Sequence, residues 1–135
     1  MLEADDVLGI CGSAPNHNVI MVSDDKDLKS VPAKLYRPMS QEYLDISEAD
    51  ADRFFLKQAL MGDATDGYSG CPSVGEKTAE KILGNRPDWS LVVKAYAAKS
   101  LSENHALTQA RLARILRWSD WDEKKQLVKL WEPSK

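Results

Sequence analysis

Apolar positions recur at two different periods along this chain, and the change of period divides it. Near the start, Ala4, Val7, Leu8 and Cys11 stand at i, i+3, i+4 and i+7, the spacing of one helical face, which predicts a helix over residues 2–11. Gly12, Pro15 and Asn16 end it. Residues 19–22 form a four-residue apolar run rich in β-branched side chains, which predicts a strand buried on both faces of a parallel sheet. Residues 23–27 follow at its C-terminal end, the end at which open α/β sheets bind ligands. Residues 33–36 predict a weaker strand, closed by Pro38.

Beyond that point the texture is helical. Ser47 can cap a helix running to about Leu60, with Asp50 three residues on and Ala51, Phe55 and Ala59 along one face. Residues 62–75 are rich in glycine and read as loop. Residues 76–83 predict a short helix ended by Gly84. Residues 88–99, 102–118 and 122–130 predict three more. The order is therefore helix, strand, strand and about five helices, with no internal repeat. Two strands make a marginal sheet, and a buried parallel strand needs neighbours. The pattern predicts the latter part of an α/β domain, with a partial α/β segment over residues 1–46 and a helical region over residues 47–135.

Composition narrows the class. A chain of 135 residues is the length of one domain. Its hydrophobic fraction of 43% and charged fraction of 29% exclude a disordered chain and a fibre. No apolar run approaches the ~20 residues needed to span a bilayer, and no basic start leads into an apolar core, so no signal peptide is expected. Cys11 and Cys71, 60 positions apart, suit two reduced core thiols in a cytoplasmic protein. The net charge of −3 conceals an asymmetry: residues 1–66 carry 6 basic and 13 acidic side chains, a balance of −7, while residues 67–135 carry 12 and 8, a balance of +4. Clustered carboxylates suit cations, and clustered Lys and Arg suit phosphate.

Three acidic groups stand out. Glu3, Asp5 and Asp6 fall on the first helix, where Glu3 and Asp6 are i, i+3 neighbours that repel unless something compensates. Asp24, Asp25 and Asp27 follow the first strand, and alternate residues there, Asp25 and Asp27, can point to one side. Asp63 and Asp66 are again i, i+3, at a helix end where carboxylates oppose the macrodipole. Hard divalent cations take oxygen ligands, and two such ions ~4 Å apart can activate a water and stabilise the leaving oxygen of a phosphodiester. Each cluster taken alone also suits a solvated turn or cap.

Four motifs in order carry a resemblance: Glu3-Ala4-Asp5-Asp6, Ser23-Asp24-Asp25-Lys26-Asp27-Leu28, Gly62-Asp63-Ala64-Thr65-Asp66-Gly67-Tyr68-Ser69-Gly70, and Val74-Gly75-Glu76-Lys77-Thr78-Ala79. Together they resemble the 5′ nuclease (flap endonuclease) family, in the flavour of phage 5′–3′ exonucleases and of the nuclease domain of bacterial DNA polymerase I. The run from Gln109 to Arg117 is similar to that family's late helix. The resemblance implies the C-terminal part of a 5′ nuclease (PIN-like) fold and divalent-metal-dependent hydrolysis of DNA phosphodiesters at 5′ ends, flaps or nicks. It implies Glu3, Asp5, Asp6, Asp25, Asp27, Asp63 and Asp66 as ligands of two Mg²⁺ or Mn²⁺ ions, with Asp24 outside the set. It implies a helix–hairpin–helix over residues 67–83, with a K⁺ ion, in which Gly70, Ser73, Gly75, Lys77, Thr78 and Lys81 meet duplex DNA, joined by Arg111 and Arg114. Ser73 stands where the family hairpin has the first glycine of G-x-G. The family also carries roughly a hundred residues before the acidic helix, so a separate N-terminal nuclease portion is an expected partner. A catalytically silent DNA-binding module or partner subunit is the alternative.

Outside the motifs, Arg111, Arg114 and Arg117, at i, i+3 and i+6, are expected along one side of a helix. Trp89, Trp118, Trp121 and Trp131 read as packing residues, and His17 and His105 as surface or packing residues without a metal role. Tyr68 suits either half-buried packing or a DNA contact.

Overall fold

The computed structural model describes residues 2–15 and 18–134. The expectations for Asn16 and His17 lie outside the described residues. The chain forms two compact units, one of Met1–Ala51 with Ile115–Trp131 and one of Asp52–Arg114 with Glu132–Lys135.

The first unit opens with α1 (Ala4–Ser13), two residues later than its apolar spacing suggests. The shift has an electrostatic reason. Starting at Ala4 puts Asp5 and Asp6 in the first turn, where the positive end of the helix dipole offsets their mutual repulsion. A three-stranded mixed sheet follows: β1 (Met21–Val22) runs parallel to β2 (Lys34–Arg37), which pairs antiparallel with β3 (Glu42–Asp45). The row Met21, Leu35, Leu44 is in register across the three strands and faces a core completed by Leu28, Val31, Ala33 and Ile115. The expected strand over residues 19–22 is therefore shorter than its apolar run, and it is not buried on both faces. Only Met21 is buried, while Val19, Ile20 and Val22 are exposed, because β2 is the one neighbour β1 has among the described residues.

The third strand, β3, was not expected from its four residues, half of them charged. Its alternation is nevertheless that of a half-buried strand: Glu42 and Leu44 point one way, Tyr43 and Asp45 the other. The turn before it is pinned by Asp24. Its Oδ1 accepts from the Met39 N–H at 2.9 Å, and its carbonyl accepts from Arg37 at 3.0 Å.

The last stretch of this unit departs from the expected helices. Helicity stops at Ala113, and Arg114 turns extended (φ −70°, ψ 114°). Ile115 enters the sheet core, the Leu116 N–H donates to Asp6 Oδ1 at 3.1 Å, and Arg117 is buried with Nε and Nη2 donating to the Ser30 carbonyl at 3.1 and 2.8 Å. Gly9 makes this approach possible: a Cβ there would lie 2.2 Å from the Leu116 carbonyl oxygen. Residues 122–130, expected as a helix, instead form a hairpin of β4 (Trp121–Asp122) and β5 (Leu127–Val128). Glu, Lys and Gln favour helix by propensity, but Asp122 Oδ1 captures the Lys125 N–H at 3.0 Å and Gln126 takes a positive φ of 55°, which closes a turn instead.

The second unit is helical. α2 (Glu48–Met61) begins in the first unit and provides Phe55, Ala59 and Leu60 to the core of the second. Ser47 Oγ accepts from the Asp50 N–H at 3.1 Å, the expected cap. α3 (Glu76–Leu83), α4 (Trp89–Ala97) and α5 (Glu103–Ala113) follow, with Ala79, Leu83, Val92, Tyr96, Ala106 and Ala110 buried. The alanines let the helices approach closely. Tyr96 spans the core and donates its hydroxyl proton to the Ala59 carbonyl at 2.6 Å, and burial pushes its ionisation well above the usual range. Cys71 is buried with its thiol against the Ala95 carbonyl, whereas Cys11 is exposed rather than a core residue. The tryptophans are half-buried, none of them in the fully buried core.

Candidate metal centre and glycine-rich turn

In the first unit, two of the expected ligands meet. Asp5, from the first turn of α1, and Asp25, just past β1, bring their carboxyls close enough to influence each other. Burial, followed by the charge of Asp25, raises the Asp5 carboxyl above its ordinary value; Asp6 and Glu3 add to the effect. Asp25 is oriented by a second bond, its Oδ1 accepting from the Asp27 N–H at 2.9 Å at the start of the short 3-10 helix Lys26–Ser30. Ser23 Oγ in turn accepts from the Asp25 N–H at 3.1 Å. The strand end thus displays its carboxylates on a fixed turn. Asp25 and Asp27 are half-buried, and Glu3 is exposed at the N-cap of α1. Asp6 has one oxygen committed to the Leu116 amide, a role its spacing did not reveal.

In the second unit, Asp63 and Asp66 share one turn beyond the end of α2. They do not sit on the helix, so the expected conflict with its dipole does not arise. Asp63 Oδ1 accepts from the Thr65 N–H at 2.9 Å and the Asp66 N–H at 3.4 Å, and its backbone pairs with Tyr68. The turn lines a shallow concavity of about 350 Å³ bounded by Met61, Asp63, Ala64, Tyr68 and Ser69. Its shape depends on two glycines packed back to back. Gly62 (φ +70°) and Gly70 (φ +66°) both adopt left-handed backbone, and a Cβ on Gly70 would lie 2.3 Å from the Gly62 nitrogen. Tyr68 is buried here, which settles its role as packing.

The stretch leading into α3 is exposed at Ser73, Gly75, Lys77, Thr78 and Lys81. Ser73 adopts a φ of +63°, the left-handed conformation a glycine would take without strain. Gly70 differs from its neighbours. It is buried, and its N–H donates to Gln109 Oε1 at 2.8 Å. Gln109 was not singled out from the sequence, although a glutamine on the same face of α5 as Ala106, Ala110 and Ala113 is a usable signal for a buried polar tie. Lys57, half-buried, bonds Glu76 at 2.9 Å and Glu80 at 3.1 Å. Burial alone would lower its ammonium, but these two carboxylates outweigh burial and raise it. The three arginines do not share a helical side. Arg111 is on α5, 3.8 Å from Glu132; Arg114 is past its end with its guanidinium 4.8 Å from the Phe55 ring centroid; Arg117 is buried against Ser30. Arg117 is structural. His105 is exposed and lies 5.9 Å, centroid to centroid, from Tyr96.

The donor set is all oxygen and all hard, which fits Mg²⁺ or Mn²⁺ and does not suit a soft metal. Among the described residues no helix is long and apolar enough to cross a membrane. No protein-family model and no solved structure matches the chain. Curated relatives do. The exodeoxyribonuclease of Enterobacteria phage T3 is 27% identical over 169 residues, covering 98% of this chain and 56% of that protein. The exonuclease of Escherichia phage T7 is 29% identical over 170 residues, again 98% of this chain and 56% of that protein. The 5′-3′ exonuclease of Mycobacterium tuberculosis is 33% identical over 114 residues, 69% of this chain and 36% of that protein. The chain thus spans about half the length of the phage relatives it matches. Both phage alignments are longer than the 135-residue chain, so these relatives carry additional residues within the matched stretch. The four motifs and the span of these similarities agree: the chain belongs to the 5′–3′ exonuclease family.

Proposed function

We propose that this chain forms part of a divalent-metal-dependent 5′–3′ exonuclease or flap endonuclease that hydrolyses DNA phosphodiesters at 5′ ends, flaps or nicks. What supports the reading is the approach of Asp5, on α1, to Asp25, past β1, two carboxyls from separate elements brought close enough that the Asp25 charge adds to burial in raising Asp5. Glu3, Asp5, Asp6, Asp25, Asp27, Asp63 and Asp66 are the carboxylates that would hold two Mg²⁺ or Mn²⁺ ions. When bound, such ions supply a water of lowered pKa and neutralise charge on the departing oxygen. The residues act as ligands and positioners, not as covalent participants. Asp27 and Ser23 fix the turn that presents Asp25, and Asp63 organises its own turn by capping Thr65 and Asp66.

Duplex DNA is held by the helix–hairpin–helix around α3. Exposed Ser73, Gly75, Lys77, Thr78 and Lys81 meet phosphates there, with a K⁺ ion, while Gly70 shapes the turn from inside. Arg111 and Arg114 extend the basic side. Such contacts position DNA without reading its sequence. The chain spans 56% of the length of the phage relatives, and the full reaction draws on the nuclease portion it does not match.

Calorimetric titration with Mn²⁺ tests the metal assignment. Asp25→Ala and Asp63→Ala are each expected to weaken uptake at least tenfold. Undiminished uptake in the double variant would overturn it, and salt-dependent duplex binding without metal uptake would favour the silent DNA-binding module.

A further inference from the structure

α3 carries Glu76 and Glu80 beside Lys77 and Lys81, two acidic and two basic side chains, a balance of 0. A helix of no net charge exerts little pull on a phosphate backbone. The two signs are nevertheless sorted. Glu76 and Glu80 are i, i+4 neighbours, as are Lys77 and Lys81, so each pair forms a stripe, and the stripes are turned about 100° from one another. The acidic stripe is held from α2: Lys57 Nζ lies 2.9 Å from Glu76 Oε1 and 3.1 Å from Glu80 Oε1. Four residues earlier on the same face of α2, Arg53 Nη1 donates to the Gly84 carbonyl just past the end of α3. Two cations of α2 thus engage α3 along its length. Among the described residues neither Lys77 nor Lys81 enters an ion pair.

As a device for holding two helices together, Lys57 is a poor choice. Its side chain is 16% exposed, whereas Glu76 is 65% and Glu80 53% exposed. Burial opposes its charge, ion pairs to exposed partners return little stability, and an apolar side chain of similar volume is often as good or better. An apolar side chain could not, however, occupy two carboxylates. Glu80 stands three residues from Lys77, within reach of a pair on α3 itself. We infer that Lys57 is a positioning residue for duplex binding: it keeps Glu76 and Glu80 on the α2 side of α3 and leaves Lys77 and Lys81 to meet phosphate. Counting Lys57, the balance of the helix and its tether becomes +1. The inference rests on the proposed use of α3 as the duplex contact and adds the residue that sets its charge.

Fluorescence anisotropy of a labelled duplex in EDTA, from about 50 to 200 mM KCl, tests this independently of any metal ligand. Lys57→Met is expected to weaken affinity about fivefold, the scale of a solvent-screened charge at close range. The slope of log K against log salt should become shallower by roughly one, as Glu80 withdraws Lys77 from phosphate. Lys57→Arg should retain the parental affinity and slope. Glu76→Gln with Glu80→Gln, added to Lys57→Met, should restore both, which a merely structural role would not allow. The same glutamine pair in the parent should bind at least as tightly as the parent, so the cycle remains readable even if Lys57→Met lowers the melting temperature. Undiminished binding by Lys57→Met, a loss that the glutamine pair fails to restore, or weakened binding by the glutamine pair alone would each overturn the inference. If the parent binds and Lys77→Ala weakens it while Lys57→Met does not, this inference alone falls. If the parent shows no salt-dependent duplex affinity, the DNA-binding reading falls and takes this inference with it.

Discussion

The two units spend their polar groups differently. The first, Met1–Ala51 with Ile115–Trp131, carries 8 basic and 13 acidic residues, a balance of −5; the second carries 10 and 8, a balance of +2. In the first, carboxyls of like charge are pressed together at Asp5 and Asp25, an arrangement that costs stability until a cation or proton enters. In the second, the strain is in the backbone: Gly62, Gly70 and Ser73 hold left-handed conformations so that a turn can present its outer edge. Electrostatic strain can be relieved by a ligand, whereas backbone strain is fixed by the fold. The acidic unit should therefore respond to ions and pH, and the helical unit to residue size.

The largest expected effect breaks the turn. Gly70→Ala forces a Cβ against the Gly62 nitrogen and the Leu60 carbonyl, and should destabilise the second unit by about 3 kcal/mol, near the upper end of overpacking costs. Urea denaturation measures this; a change near zero would mean the turn relaxes freely. Next, Arg117→Leu removes the donors that satisfy the buried Ser30 carbonyl and should cost about 2 kcal/mol, the scale of a hydrogen bond to a charged group. Duplex affinity in the same variant should not change, which separates a structural arginine from a phosphate contact. Ser73→Gly works in the opposite direction. It relieves a left-handed non-glycine residue and should stabilise by about 1 kcal/mol. The smallest effect is Asp5→Asn. Because the folded-state Asp5 carboxyl is raised, folding favours its protonated form. Stability falls as pH rises from the ordinary carboxylate value to the folded one, and the full penalty persists at neutral pH. The variant should therefore melt higher than the parent at neutral pH without metal, and the gain should vanish in acid. A gain that persists in acid would locate the effect elsewhere than in charge.

Much of this architecture was legible from residue spacing. The bounds of α3, the Ser47 cap and the strand near residues 33–36 follow from local periodicity and capping chemistry, which tertiary context did not override. The failures cluster where distant chain segments decide. Residues 114–118 continue the helical pattern of α5, but Asp6, Gly9 and Ser30, about a hundred positions away, hold them extended. Residues 122–130 have helical propensity, but a side-chain bond from Asp122 turns them back. For the candidate site, the residue types and their clustering were readable. What spacing could not supply was the approach of Asp5 to Asp25, the commitment of Asp6 to a backbone amide, or the burial of Gly70 against Gln109, since each depends on a partner far along the chain.

The bond from the Leu116 amide to Asp6 spans 110 residues. During synthesis, α1 and the strands emerge before residues 52–114, yet the segment that seats against Gly9 and fills the sheet core with Ile115 emerges only after them. Most of the helical unit, residues 52–114, is contiguous and rich in local contacts, the kind that form quickly, while closures between chain ends are slow. The helical part therefore completes while the acidic part is still open at its Leu116 seam. Seating of Asp6 becomes a late step, one that waits on a segment 110 positions away.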